Sequence, residues 1–141
     1  MVDTTVVQRK LADLETYLGQ IGQYAGISIE AYQADWKTQR IIERTLQMMI
    51  ETCADITNHI ISNSGMRPPP TSYADTFKML HENGILGPAL SANLEKMAKF
   101  RNVVVHQYEG VDAGIVVTIL RTHLNDFRLF RDAVLAYLNK A

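Results

Sequence analysis

Arg101, His106 and Tyr108 fall within eight residues of chain and bring together a permanent cation, an imidazole and a phenol. Histidine, with an ordinary pKa near ~6.5, can take or give a proton at neutral pH. Arginine stays charged and presents a planar fork of donors that matches phosphoryl oxygens. Such residues suit chemistry at a phosphodiester. Cutting RNA without a metal needs a base for the ribose 2′-hydroxyl, an acid for the departing 5′-oxygen and positive charge against the phosphorus. In a chain with this content of Arg, His and Tyr, the spacing Arg-x4-His-x-Tyr would arise by chance only roughly 0.01 times, so it is informative.

The motif lies where the chain reads as a core-facing helix. Leu90, Leu94 and Met97 recur at helical spacing, and the same rhythm continues to Arg101, Val104 and Tyr108. Arg101 therefore occupies a place suited to leucine and must find a carboxylate, a phosphate or a partner chain. At ~100° per residue, His106 lies about 40° from Asn102 and about 140° from Arg101 around a regular helix. Arg101 and His106 can share one pocket only if the helix ends or distorts between them, or if a second copy supplies one of the two. Three consecutive valines and the Glu109-Gly110 stop make a loosened end plausible. For the partner of Arg101, Glu51, Asp55 and Asn58 on an upstream helix are in reach, and Asp55 is the candidate put forward.

Bulk properties bound the function. With 141 residues the chain makes one domain, 1–141, with room for a substantial core. A net charge of −1 excludes gripping nucleic acid by bulk electrostatics, so any RNA contact is local. Lys96, Lys99 and Arg101 form a small basic cluster, a pattern more often met on solvated helix faces. The lone Cys53 on an apolar stripe reads as an inert core thiol. The first ten residues lack the basic-then-apolar pattern of a secretory signal, and no apolar run approaches the ~18 residues of a membrane span, so the expectation is a cytoplasmic protein with no membrane partner. No Cys-x-x-Cys or His-Glu-x-x-His spacing supports a metal, and no glycine-rich phosphate loop or Gly-x-Ser-x-Gly elbow supports a bound cofactor or serine hydrolysis. The expectation is no metal and no cofactor.

The elements that must position the motif follow from apolar periodicity. Val7, Leu11, Leu14, Leu18, Ile21 and Ala25 mark a helix over 4–25, capped by Asp3, Thr4 or Thr5 and closed by Gly26. Residues 27–34 read as a connection. Asp35 then caps a helix whose seam is Ile42, Leu46, Met49, Cys53, Ile56 and Ile60, with Glu43, Glu51, Asp55, Asn58 and His59 beside it. Ser62 to Pro70, with three consecutive prolines, breaks the helix within one domain. Ser72 to Asp75 resembles a capping box opening a short helix, which Asn83-Gly84-Ile85 ends in Schellman style. Gly87-Pro88 starts the motif helix, and Asp112 caps a last one with the seam Val116, Leu120, His123, Phe127, Phe130, Val134 and Tyr137. His123 in that seam reads as a hydrogen-bonded core or interface histidine. The sum is an all-α up-and-down bundle of about four to five helices.

Arg101-Asn102-Val103-Val104-Val105-His106-Gln107-Tyr108 resembles the signature of the HEPN superfamily, specifically its HepT-like ribonuclease toxins, down to the Asn after Arg. The likeness extends to Asp55 through His59, the proline loop, Ser72-Tyr73 and the final helix from Asp112. The resemblance implies a helical homodimer or higher homo-oligomer with the motifs of two protomers meeting in one cleft. It further implies metal-independent endoribonuclease activity on tRNA or mRNA, with Arg101 and His106 catalytic and Asn102, Tyr108 and Asp55 supporting. It also implies an MntA-like nucleotidyltransferase antitoxin that transfers AMP onto Tyr108. A different class of function, a non-catalytic HEPN module binding a nucleotide or partner, remains the alternative.

Overall fold

The computed structural model describes residues 2–67, 69–106 and 110–140. The described residues are helical or loop, with no strand among them. Helix α1 spans Thr4–Ile21 and passes into a 3₁₀ turn over Gly22–Tyr24; α2 spans Ile29–Ala34 and α3 Trp36–Ser64. After the proline loop come α4, Tyr73–Glu82, and α5, Pro88–His106. The last helical run is α6, Ala113–Thr118, a π-helical segment over Ile119–His123, and α7, Leu124–Lys140.

The long helix α3 is the axis of the bundle, packing against α1, α4, α5 and α7. Its seam explains why. Ile42, Leu46, Met49, Cys53, Ile56 and Ile60 are each wholly buried, and the Val7-to-Ile21 stripe of α1 meets them. Phe77 of α4 and Phe130 of α7 close the far side in an edge-to-face pair, ring centroids 6.2 Å apart. Burial of such apolar side chains contributes about 1.5–3 kcal/mol each and drives the assembly of helices that would be marginal alone.

The caps act as the local sequence dictates. Asp35 Oδ1 accepts from the Lys37 N–H at 3.0 Å, and Asp112 Oδ1 accepts from Gly114 and Ile115. Ser72 Oγ accepts from the Asp75 N–H at 3.1 Å, while the Asp75 carboxylate turns to Thr71 instead of closing the box. At the other end of α4, Ile85 N–H bonds Leu80 O and Gly84 N–H bonds His81 O, with Gly84 at φ +76°: the Schellman pattern expected there.

Two expectations need correction. The first helix ends at Ile21, because the chain tightens into the 3₁₀ turn before Ala25. Residues 27–34 are also more than a connection: Ser28 caps α2, and that short helix buries Tyr32, whose hydroxyl donates to Glu43 at 2.8 Å. Six residues are too few to show a periodic seam, which is why sequence pattern missed them. No helix among the described residues is long and apolar enough to cross a membrane.

Candidate active site

Arg101 sits on α5 where that helix crosses the polar edge of α3. Its Nε and Nη2 donate to Glu51 Oε2, at 2.8 and 2.7 Å, and its Nη1 donates to Asn102 Oδ1 at 3.2 Å. The guanidinium also lies 4.6 Å over the ring of Tyr73 at the start of α4. Gln47, one turn back on α3, donates to Glu51 Oε2 at 3.2 Å and steadies the carboxylate. The side chain of Arg101 is only 18% exposed and that of Glu51 26%, so the pair is screened less than a surface ion pair.

The carboxylate that meets Arg101 is thus Glu51, and Asp55 is not its partner. Asp55 lies one turn further along α3, where the helix has rotated about 40° toward α1, and there it pairs with Lys10 at 3.5 Å. Asn58 is also not bonded to Arg101; its Oδ1 accepts from Thr76 at 3.3 Å. Tyr73 is a member of the site that periodicity had no means to identify. Its contact with Arg101 depends on how α4 returns after the proline loop.

Helix α5 continues unbroken through Val103, Val104 and Val105 and ends at His106. The valines do not loosen it, since Val104 packs against the core and tertiary burial outweighs their weak helix propensity. His106 is therefore exposed at the helix end, well around the cylinder from Arg101. Gly110 has φ +102°, a conformation that favours glycine. Tyr108, with Gln107 and Glu109, lies outside the described residues.

The other three histidines are engaged. His59 Nε2 accepts from the Asp3 N–H at 3.1 Å, His81 Nδ1 is 3.0 Å from the Leu86 carbonyl, and His123 Nδ1 is 2.9 Å from Asp126 Oδ2. His123 is thus a hydrogen-bonded histidine of the last helical run, as its place in the seam suggested. A cavity of about 450 Å³ lies beside His123 between α5 and the π-helical segment, and is walled by Met97, Phe100, Ile115 and Ile119. None of Arg101, Asn102 or His106 lines it. Cys53 is fully buried and burial pushes its thiol pKa well up, so it is no nucleophile.

Residues 14–134 match the family model described as ribonuclease HepT-like. The chain is 33% identical over 131 residues to an mRNA nuclease HepT from Shewanella oneidensis, covering 93% of this chain and 97% of that protein. It is 26% identical over 137 residues to a tRNA nuclease HepT from Aphanizomenon flos-aquae, covering 97% and 92%. Among solved structures it matches a tri-AMPylated Shewanella oneidensis HEPN toxin in complex with an MNT antitoxin, with a TM-score of 0.85 and 32% identity over 96% of this chain and 99% of that one. A family model spanning most of the length, with a third of residues identical across nearly the whole chain, places this protein in the ribonuclease HepT-like family, and by that membership it is an endoribonuclease.

Proposed function

We propose that the chain is the toxin of a toxin–antitoxin pair and that it cuts mRNA or tRNA without a metal, at a cleft completed by a second copy of itself. One observation carries the second copy. Helix α5 is regular from Arg101 to His106 and Arg101 is anchored to α3 and α4, so the cation and imidazole of one chain point to different sides. Two chains related by a twofold axis bring an arginine of one beside a histidine of the other.

The geometry of Arg101 supports the following roles in that cleft. Among the described residues, three of the five N–H groups of Arg101 are engaged by Glu51 and Asn102, which leaves two for the scissile phosphate. One His106 takes the proton of the 2′-hydroxyl as that oxygen attacks phosphorus. The His106 of the other copy gives a proton to the departing 5′-oxygen. Asn102 holds the guanidinium edge, and Glu51 with Tyr73 fixes its plane. Asp55, paired with Lys10, contributes only to the outer wall.

Regulation is read from the relatives. The Shewanella oneidensis toxin structure is AMPylated and bound to its MNT antitoxin. For this chain we assign the acceptor role to Tyr108 and the donor role to an MntA-like nucleotidyltransferase. Each added AMP brings negative charge and bulk to the motif, where it would compete with RNA for Arg101.

Expression without the antitoxin tests the reading. Wild type should arrest growth and fragment RNA, whereas Arg101→Ala and His106→Ala should do neither. Equal growth with intact RNA in all three ends the nuclease reading, and unchanged binding of a partner or nucleotide by them would favour the non-catalytic module. Intact mass after incubation with ATP and the antitoxin should rise by whole AMP units. Persistence of that gain in Tyr108→Phe would remove the assignment of Tyr108.

A further inference from the structure

A second cavity, of about 330 Å³, opens on the α4 side of Arg101. Asn58 of α3, Pro70 and Ser72 of the loop, Tyr73 and Thr76 of α4, and Asn102 of α5 line it. Two of these walls touch the guanidinium directly: Asn102 through its Oδ1 and Tyr73 through its ring. A phosphate bound to the Arg101 donors that no described residue engages therefore has this cavity as its neighbour. On the ribonuclease reading above, we propose that the cavity is the subsite for one nucleobase of the RNA flanking the cut, and that Asn58 and Asn102 select a base with keto oxygens.

The chemistry of the walls carries the choice of ligand. Among the described residues, none lining the cavity is charged, so a phosphate belongs on Arg101 and not inside. Pro70 and the Tyr73 ring give apolar surface for a flat base, and 330 Å³ is at the small end of ligand cavities, roughly 300–1,000 Å³. Arginine can only donate, so its bond to Asn102 fixes Oδ1 on the guanidinium and leaves the Asn102 amide N–H groups for a ligand. The single proton of the Thr76 hydroxyl is shared between the Ser72 carbonyl at 2.9 Å and Asn58 Oδ1 at 3.3 Å, which turns the Asn58 oxygen to Thr76 and leaves its N–H groups for a ligand. Two amides that donate require an edge that accepts. Uracil, with two keto oxygens, meets that demand, and the amino groups of cytosine and adenine meet it less well.

The test uses His106→Ala, which does not cut, and measures its binding to hexanucleotides of uridine, cytidine and adenosine. The uridine oligomer should bind tightest. Adding Asn58→Ala should weaken the uridine oligomer about tenfold, the effect of one lost hydrogen bond to a ligand, with little change for the other two. Asn58→Asp, of equal size, turns donors into acceptors and should move the preference toward the cytidine oligomer at an unchanged melting temperature. Equal affinity for all three oligomers, or an equal loss for all three in Asn58→Ala, overturns the subsite. Failure of wild type to cut RNA would overturn the ribonuclease reading separately, because the binding measurement uses a protein that does not cut.

Discussion

The two ends of the Arg101–His106 stretch are built on opposite principles. At Arg101 the chain provides everything: Glu51 braced by Gln47, Asn102 alongside, and Tyr73 beneath the guanidinium. At His106 it provides an exposed side chain at the end of a helix, with no hydrogen bond among the described residues. A guanidinium must be oriented before it can stabilise charge developing on phosphorus, and preorganisation in a partly water-excluded place is what makes such donors effective. A proton-transferring imidazole needs access to substrate and can be positioned by a second subunit. On the proposed reading, one half of the site is set by folding and the other by assembly.

Subunit mixing probes this contrast with the largest effect. Arg101→Ala and His106→Ala should each lower cleavage by about 100-fold or more. Because the proposed cleft uses the His106 of both copies, wild type mixed with an equal amount of His106→Ala under random pairing should keep only roughly a quarter of the activity of the same total of wild type. Retention of roughly a half would show that each chain acts by itself and would break the idea that the site is shared.

Glu51→Ala attacks the folded half. Removing the carboxylate strands a guanidinium that is only 18% exposed. Loss of one partner of a fully buried pair costs about 3–5 kcal/mol; residual exposure discounts this to about 1–3 kcal/mol. Denaturant titration of the Glu51→Ala and Asp55→Ala proteins measures the difference, since Asp55, half exposed on Lys10, should cost under about 1 kcal/mol. Equal losses would place the anchor elsewhere.

Cys53 reports on the same half, because it sits two residues beyond Glu51 on α3 and is wholly buried with a raised pKa. A thiol reagent should modify it only through unfolding, and faster in Glu51→Ala than in His106→Ala. Rapid labelling of the native wild-type protein would show that the anchor is not tightly packed.

The smallest effect is on pH. The hydrogen bond from the Thr71 hydroxyl, then that from its N–H, holds the Asp75 carboxyl below its ordinary value, and the Thr38 hydroxyl does the same for Asp35. A depressed carboxyl contributes stability that is present above its unfolded pKa, near ~3.9, and lost as pH falls through the lower folded value. Stability should therefore hold down to about pH 4 and fall below it. Asp75→Asn should flatten that fall while sparing the dimer, because Asp75 secures the start of α4, which carries Tyr73, and has no part in placing His106.

Much of this arrangement could be read in advance. The seams of α1, α3 and the last helical run are long and regular, so their buried residues followed from spacing, as did the caps at Asp35, Ser72 and Asp112. The motif stood out because a guanidinium on an apolar stripe demands a partner. The identity of that partner did not follow. Glu51 and Asp55 differ by one turn of helix and by about 40° of rotation, and helix crossing decides which of them faces α5. Tyr73 and the short α2 escaped for a related reason, since one is placed by a loop return and the other is too brief to show a period.

By itself the sequence determined the helical class, the helix seams and the motif of Arg101, His106 and Tyr108, because these depend on periodicity and on the chemistry of single side chains. The tertiary structure alone decided that Glu51 and Tyr73 hold Arg101, that Asp55 belongs to Lys10, and that the Asn58 cavity adjoins the residues around Arg101. Those facts depend on how helices far apart in the chain cross, and a local pattern carries no information about a crossing.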